Sequence, residues 1–126
     1  MKLFVVDDSS DVRARIVAAV EEIPGVAVVG EAADAVTATA FVLRHRPDVV
    51  VLDIQMPGGS GFQVLDAVGL FSPPPQVVVL TNHTHDIYRR RCMEAGAGFF
   101  FDKSTQFEHA IDAIALLNAA ESGSGS

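Results

Sequence analysis

The chain has 126 residues, 49% of them hydrophobic, and a formal net charge of -7 at pH 7. This length and composition predict one globular domain with its own core, and they exclude a disordered chain. The acidic balance disfavours binding to nucleic-acid phosphates, and the single cysteine, Cys92, excludes a disulfide within the chain.

Five short apolar runs alternate with five helical patterns along the chain. The runs are rich in Val and Phe, as strands are; they are Leu3–Val6, Val26–Val29, Val49–Leu52, Val77–Leu80 and Phe99–Phe101. Their ends recur at a near-regular interval that fits one strand, one helix and two short loops. This alternation predicts an α/β fold, in which a parallel sheet has helices on both faces.

The first and last helices each show one apolar face. The first helix should start at Ser9 or Ser10, whose side chains can cap it, and should end at Pro24-Gly25. Its apolar face contains Val12, Ile16, Ala19, Val20 and Ile23. The last helix should begin near Thr105, and its apolar face contains Phe107, Ala110, Ile111, Ile114 and Leu117.

The three middle helices are bounded by turn residues. The second should run from about 34 to 46, and the residues expected to face inward are Val36, Ala40 and Leu43. The third should start near Ser60 and end before the prolines at 73–75. The fourth should run from about 84 to 95, with Tyr88 and Cys92 packed inward.

The two ends of the chain carry little structural information. The first residues lack the charged region and cleavage site of a signal peptide, and no apolar run approaches the ~18 residues of a membrane span. We therefore expect a cytoplasmic protein. Residues 1–121 should form one domain, and residues 122–126 have the Gly/Ser composition of a flexible tail.

Polar side chains follow four of the five predicted strands. They are the pair Asp7-Asp8, then Asp53, Thr81 and Lys103. Because the carboxyl ends of parallel strands converge on one crevice, we expect these groups to meet. Carboxylates brought together repel each other and resist ionisation. The sequence therefore predicts a site for a hard divalent cation such as Mg2+ (or Mn2+).

In their order and spacing, these motifs resemble the receiver domain of two-component response regulators. The four motifs are the acidic pair Asp7-Asp8, the segment Leu52 to Gly58, Leu80-Thr81 and Asp102-Lys103. The resemblance covers residues 1 to about 120. It implies a flavodoxin-like, doubly wound (βα)5 fold with a five-stranded parallel sheet in the order 2-1-3-4-5.

The resemblance also implies a role for each residue of the site. Asp53 would accept a phosphoryl group, and carboxylates are known phosphoryl nucleophiles. The metal ligands would be Asp7, Asp8, Asp53 and the backbone carbonyl of Gln55. Thr81 and Lys103 would bind the phosphoryl group. One lysine and one divalent cation would balance the formal charge of three carboxylates, so that a dianionic donor could approach.

A conformational switch is implied by the same family. Phosphorylation would draw Thr81 and Lys103 toward the phosphoryl oxygens, and Phe100 on the fifth strand would turn inward into the space that the threonine leaves. The surface formed by the fourth helix, the fifth strand and the fifth helix would then change and control a protein partner. The family pattern places the residues that tune the lifetime of the phosphorylated state at Gln55, Asn82 and His83.

The chain departs from the common receiver pattern at two positions. Ser104 follows Lys103 where many receivers have a proline in a cis bond, so the cis peptide of the family is not carried over, and the sequence leaves the isomer of this bond open. Asn82 follows Thr81 where the family usually has a small residue, and its larger side chain would restrict access to Asp53.

The expected partners are a histidine kinase or phosphotransfer protein and a downstream protein target. The sequence predicts no direct binding of nucleic acid and no membrane contact, and it leaves open a monomer or a phosphorylation-dependent dimer. We expect a signalling domain that catalyses only its own phosphorylation and dephosphorylation. We slightly favour a stand-alone receiver of chemotaxis type, because the chain ends with the fifth helix.

Four alternative functions stay open from the sequence. The chain could be the receiver part of a longer DNA-binding transcriptional regulator. A phosphohydrolase with an aspartyl-phosphate intermediate is less favoured, because such enzymes usually have a second acid two residues after the nucleophile. A flavin-binding module is disfavoured, since the loop after the first strand is acidic where a phosphate-binding loop needs donors. An interaction module that needs no phosphorylation is disfavoured by the intact acidic site.

Overall fold

The computed structural model describes residues 1–56 and 59–124. Five strands form one parallel sheet: β1 (Lys2–Val6), β2 (Ala27–Ala32), β3 (Val49–Leu52), β4 (Gln76–Thr81) and β5 (Phe99–Asp102). The five helices are α1 (Ser10–Glu21), α2 (Ala35–His45), α3 (Gly61–Val68), α4 (Asp86–Glu94) and α5 (Phe107–Ser124). The strand order is β2-β1-β3-β4-β5, which confirms the doubly wound topology expected from the sequence.

The core has two layers, one on each face of the sheet. Successive residues of a strand point to opposite faces, so Leu3 and Phe4 enter different layers. α1 and α5 cover one layer through buried residues such as Ile16 and Ile114. α2, α3 and α4 cover the other, which contains Val42, Leu65 and Cys92 among others. The helices therefore lie on both faces of the sheet, as predicted.

A short hairpin between β3 and α3 was not predicted. Its strands are Gln55–Met56 and Gly59–Ser60, which pair in antiparallel register. Two-residue strands are too short to produce an alternation that a sequence pattern could reveal. Pro57 and Gly58, which belong to the motif that follows Asp53, lie outside the described residues.

The inward face of α2 differs from the expectation. Val36 and Leu43 are 67% and 45% exposed, and Ala40 is exposed too. The buried residues of this helix are Ala35, Ala38 and Val42. Apolar residues occur on more than one face of the helix. The positions of its largest apolar side chains therefore do not identify the face that packs on the core. Small alanines face the core here, which lets the helix approach closely.

α4 is anchored by very little buried surface. Cys92 is its only buried residue, and burial raises the pKa of this thiol to about 11. Tyr88 was expected to pack inward but is 39% exposed. Arg89 lies over the ring of Phe100 at 4.6 Å, and Arg91 lies over the ring of Phe62 at 3.8 Å. Such cation–π contacts are worth ~0.5–1 kcal/mol at exposed sites, so two arginines contribute much of the attachment.

Two further observations bear on the sequence-based expectations. None of the helices in the described part of the chain is long and apolar enough to cross a bilayer. α5 extends to Ser124, so the helix continues past the expected domain boundary at residue 121.

Candidate functional site

Three backbone hydrogen bonds extend the sheet one residue beyond its strands. The Asp7 amide donates to the Ala32 carbonyl at 3.0 Å, and the Asp53 amide donates to the Val6 carbonyl at 3.0 Å. The Lys103 amide donates to the Thr81 carbonyl at 2.9 Å. These bonds hold the residues that follow the strands side by side. The strand ends therefore meet at one edge of the sheet, as the sequence predicted.

Several polar contacts converge on the carboxylates of Asp7 and Asp53, which are only 1% and 6% exposed. The Lys103 ammonium lies 2.7 Å from Asp7 Oδ2 and 2.6 Å from Asp53 Oδ2. The Thr81 hydroxyl donates to Asp53 Oδ1 at 2.9 Å, and the Gln55 amide donates to the same oxygen at 3.1 Å. Both oxygens of Asp53 are thus held in place by donors.

Burial and charge act against each other in this cluster. Burial raises the pKa of Asp7 above its usual range, although the hydrogen bond from Lys103 partly offsets this effect. Burial also opposes the charged form of Lys103, but hydrogen bonds from its ammonium to Asp53 and Asp7 raise its pKa overall. The Lys103 ammonium is thus shared between the buried carboxylates of Asp7 and Asp53, which repel each other.

A residue that the sequence analysis did not single out supports Asp7. Arg13 Nη1 donates to the Asp7 carbonyl at 2.7 Å, and Arg13 Nε pairs with Glu31 at 3.2 Å. Ser9 caps α1 by accepting from the Val12 amide, and its own amide donates to Asp7 Oδ1 at 2.9 Å. The Ser9 amide therefore holds the carboxylate of Asp7, and Arg13 holds its backbone carbonyl. No motif spacing marks Arg13 for this role.

Three carboxylates can serve as ligands of one metal ion. Oxygen atoms of Asp7, Asp8 and Asp53 lie within 4.8 Å of one another, and the Asp8 side chain is exposed. Hard oxygen ligands of this kind suit Mg2+ or Mn2+, which usually keep several waters. These residues fit the metal that the sequence predicts, and a bound cation would supply charge neutralisation at Asp53.

Mg2+ should therefore stabilise the folded chain. We expect a gain in the free energy of unfolding of about 2.7 kcal/mol when Mg2+ is present at about 100 times its dissociation constant. Asp8→Asn should lose most of this gain, because it removes the exposed ligand while leaving the buried pair intact. Thermal unfolding with Mg2+ and with chelator measures the effect. The exposed Asp66→Asn on α3 is the control. An equal Mg2+ effect in Asp8→Asn and Asp66→Asn would contradict the assignment.

The remaining predicted residues divide into two groups. Gln55, Asn82 and His83 line an open cavity of about 660 Å³ together with Asp53 and Lys103. Phe100 lies away from it, buried in the layer that α4 covers, and is 6% exposed. The peptide bond between Lys103 and Ser104 is trans, in agreement with the absence of proline at this position.

Gly61 is a site residue that sequence reasoning missed. A Cβ at this position would lie 2.6 Å from the Asp53 carbonyl oxygen and 2.6 Å from Ile54 Cα. The Gly61 amide also donates to the Ile54 carbonyl at 2.9 Å. The start of α3 therefore packs directly against the backbone that carries Asp53. Only a glycine leaves enough room for this approach.

Gly61→Ala should displace the Asp53 loop. We expect a loss of about 1–3 kcal/mol in the free energy of unfolding, the usual range for overpacking, together with weaker Mg2+ binding. Gly69→Ala is the matched control, because a Cβ there meets its nearest atoms at 3.5 Å and 3.6 Å, which is ordinary contact. Urea unfolding and Mg2+ titration of both variants give the result. Equal stability of the two would show that the loop adjusts freely.

The fold and the site together define a doubly wound α/β domain in which a buried aspartate, held by a lysine and a threonine, lies beside carboxylates that can hold a metal ion. The model of the response regulator receiver domain matches residues 3–115, and the chain belongs to this family. Domains of this family are signalling modules of two-component response regulators.

Similar proteins include longer regulators and enzymes. The chain is 32% identical over 121 residues to response regulator GacA of Pseudomonas aeruginosa, covering 96% of this chain and 56% of that protein. It is 37% identical over 105 residues to a protein-glutamate methylesterase/protein-glutamine glutaminase of Alkalilimnicola ehrlichii, covering 82% of this chain and 27% of the relative. A LuxR-family two-component response regulator from Aurantimonas shares 30% identity at a TM-score of 0.84, over 94% of this chain and 85% of that chain.

Proposed function

We propose that the chain accepts a phosphoryl group on Asp53 from a histidine kinase or a histidine phosphotransfer protein, in a Mg2+-dependent reaction. The observation that carries this proposal is the pair of side-chain donors on Asp53. Lys103 Nζ holds one carboxylate oxygen and Thr81 Oγ1 holds the other. This arrangement places a cation and a hydroxyl where charge develops during phosphoryl transfer.

For phosphoryl transfer to Asp53 the protein has to position the reacting groups and neutralise their charge. A carboxylate oxygen of Asp53 forms the new P–O bond while the P–N bond to the donor histidine breaks. Lys103 neutralises charge on the transferring group, which is the main contribution in this type of reaction. The metal held by Asp7, Asp8, Asp53 and the backbone carbonyl of Gln55 would supply further neutralisation. Thr81 then donates its hydroxyl to a phosphoryl oxygen instead of to Asp53.

Loss of the phosphoryl group needs water at the same place. The cavity over Asp53 is open, so water can enter it past the side chains of Gln55, Asn82 and His83. The His83 ring also contacts the Tyr88 ring, with centroids 5.8 Å apart. These three residues are proposed to set the lifetime of the phosphorylated state by their size and their hydrogen bonding.

The test uses the chain itself and two phosphoryl donors. Incubation with acetyl phosphate and Mg2+ should add the mass of one phosphoryl group, and a chelator should prevent the gain. A phosphorylated histidine phosphotransfer protein should give the same product. Absence of a gain with both donors, under conditions where Mg2+ still stabilises the fold, would overturn the proposal.

The proposed output is a change in the surface formed by α4, β5 and α5. This surface carries exposed apolar side chains, among them Ile87, Met93 and Leu116. In the structure the Thr81 hydroxyl already contacts Asp53, and Phe100 is already buried under Arg89. A phosphoryl group on Asp53 would accept the Thr81 hydroxyl in place of the carboxylate, keep Phe100 inward and alter the position of α4. A downstream protein would bind the altered surface.

Phe100→Leu should uncouple α4 from the phosphorylation site. With Mg2+ and beryllofluoride, a phosphoryl mimic, we expect amide exchange in α4 to change in the wild type and to change much less in this variant. Phe101→Leu, on the opposite face of β5, should respond as the wild type does. Binding of the mimic should be retained in both variants. Equal responses in all three proteins would show that Phe100 does not carry the coupling.

The rest of the protein is proposed from the relatives. The chain spans about half the length of GacA, and the LuxR-family regulator above is also longer than the matched region. These matches support the proposal that the chain is the receiver part of a longer protein rather than a stand-alone receiver, and we propose a cytoplasmic location for either. The full-length gene sequence distinguishes the two.

Light scattering with and without beryllofluoride distinguishes a monomer from a phosphorylation-dependent dimer.

A further inference from the structure

The two positions where the chain departs from the common receiver pattern contact each other. Ser104 Oγ donates to Asn82 Oδ1 at 2.9 Å. Asn82 directly follows Thr81, and Ser104 directly follows Lys103, the two residues that hold the oxygens of Asp53. The side-chain bond thus joins the two loops one residue beyond the last backbone bond between β4 and β5.

Ser104 is held firmly by its own loop. Its amide donates to Asp102 Oδ1 at 2.7 Å, and the Thr105 amide donates to the same oxygen at 3.3 Å. The Asp102 amide donates to Gln106 Oε1 at 2.9 Å, and the Gln106 amide donates to the Asp102 carbonyl at 2.8 Å. The hydroxyl of Ser104 therefore extends from a well-bonded turn that needs no proline.

The bond to Ser104 also decides which atoms of Asn82 remain free. An asparagine side chain has one acceptor oxygen and one NH2 group with two donors. Because Oδ1 accepts from Ser104, Nδ2 is left without a hydrogen-bond partner among the residues that the structure describes. Asn82 lines the cavity over Asp53. The Nδ2 amide of Asn82 is thus a free donor at the edge of the cavity that the phosphoryl group on Asp53 would occupy.

We propose that Ser104 positions the side-chain amide of Asn82, and that Asn82 Nδ2 donates to a phosphoryl oxygen on Asp53. This inference rests on the proposed function of Asp53. A phosphoryl group has three strong acceptor oxygens, each able to accept more than one hydrogen bond. Thr81 and Lys103 supply two donors, and Asn82 supplies a third. Asn82 is then a ligand of the phosphoryl group, and Ser104 is its positioning residue.

This role differs from a purely steric one. A bulky Asn82 that only narrows the cavity would slow phosphorylation by small donors and leave affinity for a phosphoryl mimic unchanged. A donor at Asn82 instead favours the phosphorylated state. Its loss should weaken binding of beryllofluoride and shorten the lifetime of the phosphoryl group. The effect should be about fivefold, which corresponds to roughly 1 kcal/mol for a net hydrogen bond.

The experiment is a double-mutant cycle on the whole chain. Asn82→Ala, Ser104→Ala and the double variant are compared for beryllofluoride affinity in Mg2+ and for the decay rate of the phosphorylated form after chelation. Ser104→Thr keeps the hydroxyl and should retain most of the wild-type affinity and lifetime. Thermal unfolding without metal should be nearly the same in all variants, because both side chains are exposed.

The expected result is that the double variant is no worse than Asn82→Ala alone, since Ser104 acts through Asn82. Additive effects, or wild-type affinity in Ser104→Ala, would overturn the positioning role. Faster phosphorylation of Asn82→Ala with unchanged beryllofluoride affinity would overturn the donor role. It would show that Asn82 acts only by narrowing the cavity. A wild type that gains no phosphoryl group from either donor would instead reject the function of Asp53, so the two failures are distinguishable.

Discussion

Replacing Asp53 with Asn is expected to abolish phosphorylation of the chain by both acetyl phosphate and a phosphohistidine donor. The amide lacks the negative charge and the nucleophilic oxygen that form the P–O bond. It keeps the size of the carboxylate, so Thr81 and the Gln55 amide can still contact the remaining oxygen. The fold should therefore be retained. Intact-mass measurement after incubation with donor and Mg2+ gives the outcome directly.

The control for this experiment is another acidic residue outside the site. Asp66→Asn removes one exposed carboxylate from α3 and should be phosphorylated as the wild type is. Mapping of the modified peptide identifies the acceptor. Phosphorylation of Asp53→Asn at the wild-type rate and extent would show that another residue accepts the phosphoryl group.

Lys103→Met is expected to cause the second large effect, on both stability and chemistry. The ammonium is shared by two buried carboxylates at 2.6 Å and 2.7 Å, and its side chain is only 12% exposed. Its removal leaves Asp7 and Asp53 repelling each other, at a cost of about 3–5 kcal/mol in the free energy of unfolding. Phosphorylation should slow by about 100-fold or more, as when a donor to a developing charge is removed.

Mg2+ distinguishes the electrostatic cause from lost packing. If charge repulsion destabilises Lys103→Met, Mg2+ should recover much of the lost stability, because it takes over neutralisation of the same carboxylates. The only other lysine, Lys2, is exposed at the opposite end of β1, and Lys2→Met should change neither stability nor phosphorylation appreciably. A loss of stability in Lys103→Met that Mg2+ does not reduce would point to packing instead.

The site was predictable because it depends on strand ends. Apolar runs followed by polar residues indicate where the strands end. Because parallel strands have their carboxyl ends at the same edge of the sheet, the polar residues at these ends come together there; they are Asp7, Asp53, Thr81 and Lys103. The structure brings these side chains within hydrogen-bond distance of one another. Sheet topology, rather than any local motif, carries this information.

Features that depend on packing distance could not be read from the sequence. The inward face of α2 follows from close approach of small alanines, whereas a hydrophobicity pattern favours the larger Val36 and Leu43. Gly61 matters because the Asp53 backbone lies 2.6 Å from where its Cβ would be. The bond between Asn82 and Ser104 joins residues 22 positions apart on two loops. Each of these features depends on distances in the folded chain, and none leaves a periodic signal in the sequence.

The weak anchoring of α4 has a consequence for how such a domain can acquire new partners. Cys92 is its only buried residue, and Arg89 and Arg91 lie over core aromatic rings, so the other positions can be exchanged without opening a cavity in the core. Exposed substitutions of this kind usually change stability by no more than about 0.5 kcal/mol. The helix that is proposed to contact the partner can therefore diverge freely in sequence. The proposed phosphorylation site, which is built on the buried ends of the strands, stays intact while the helix changes.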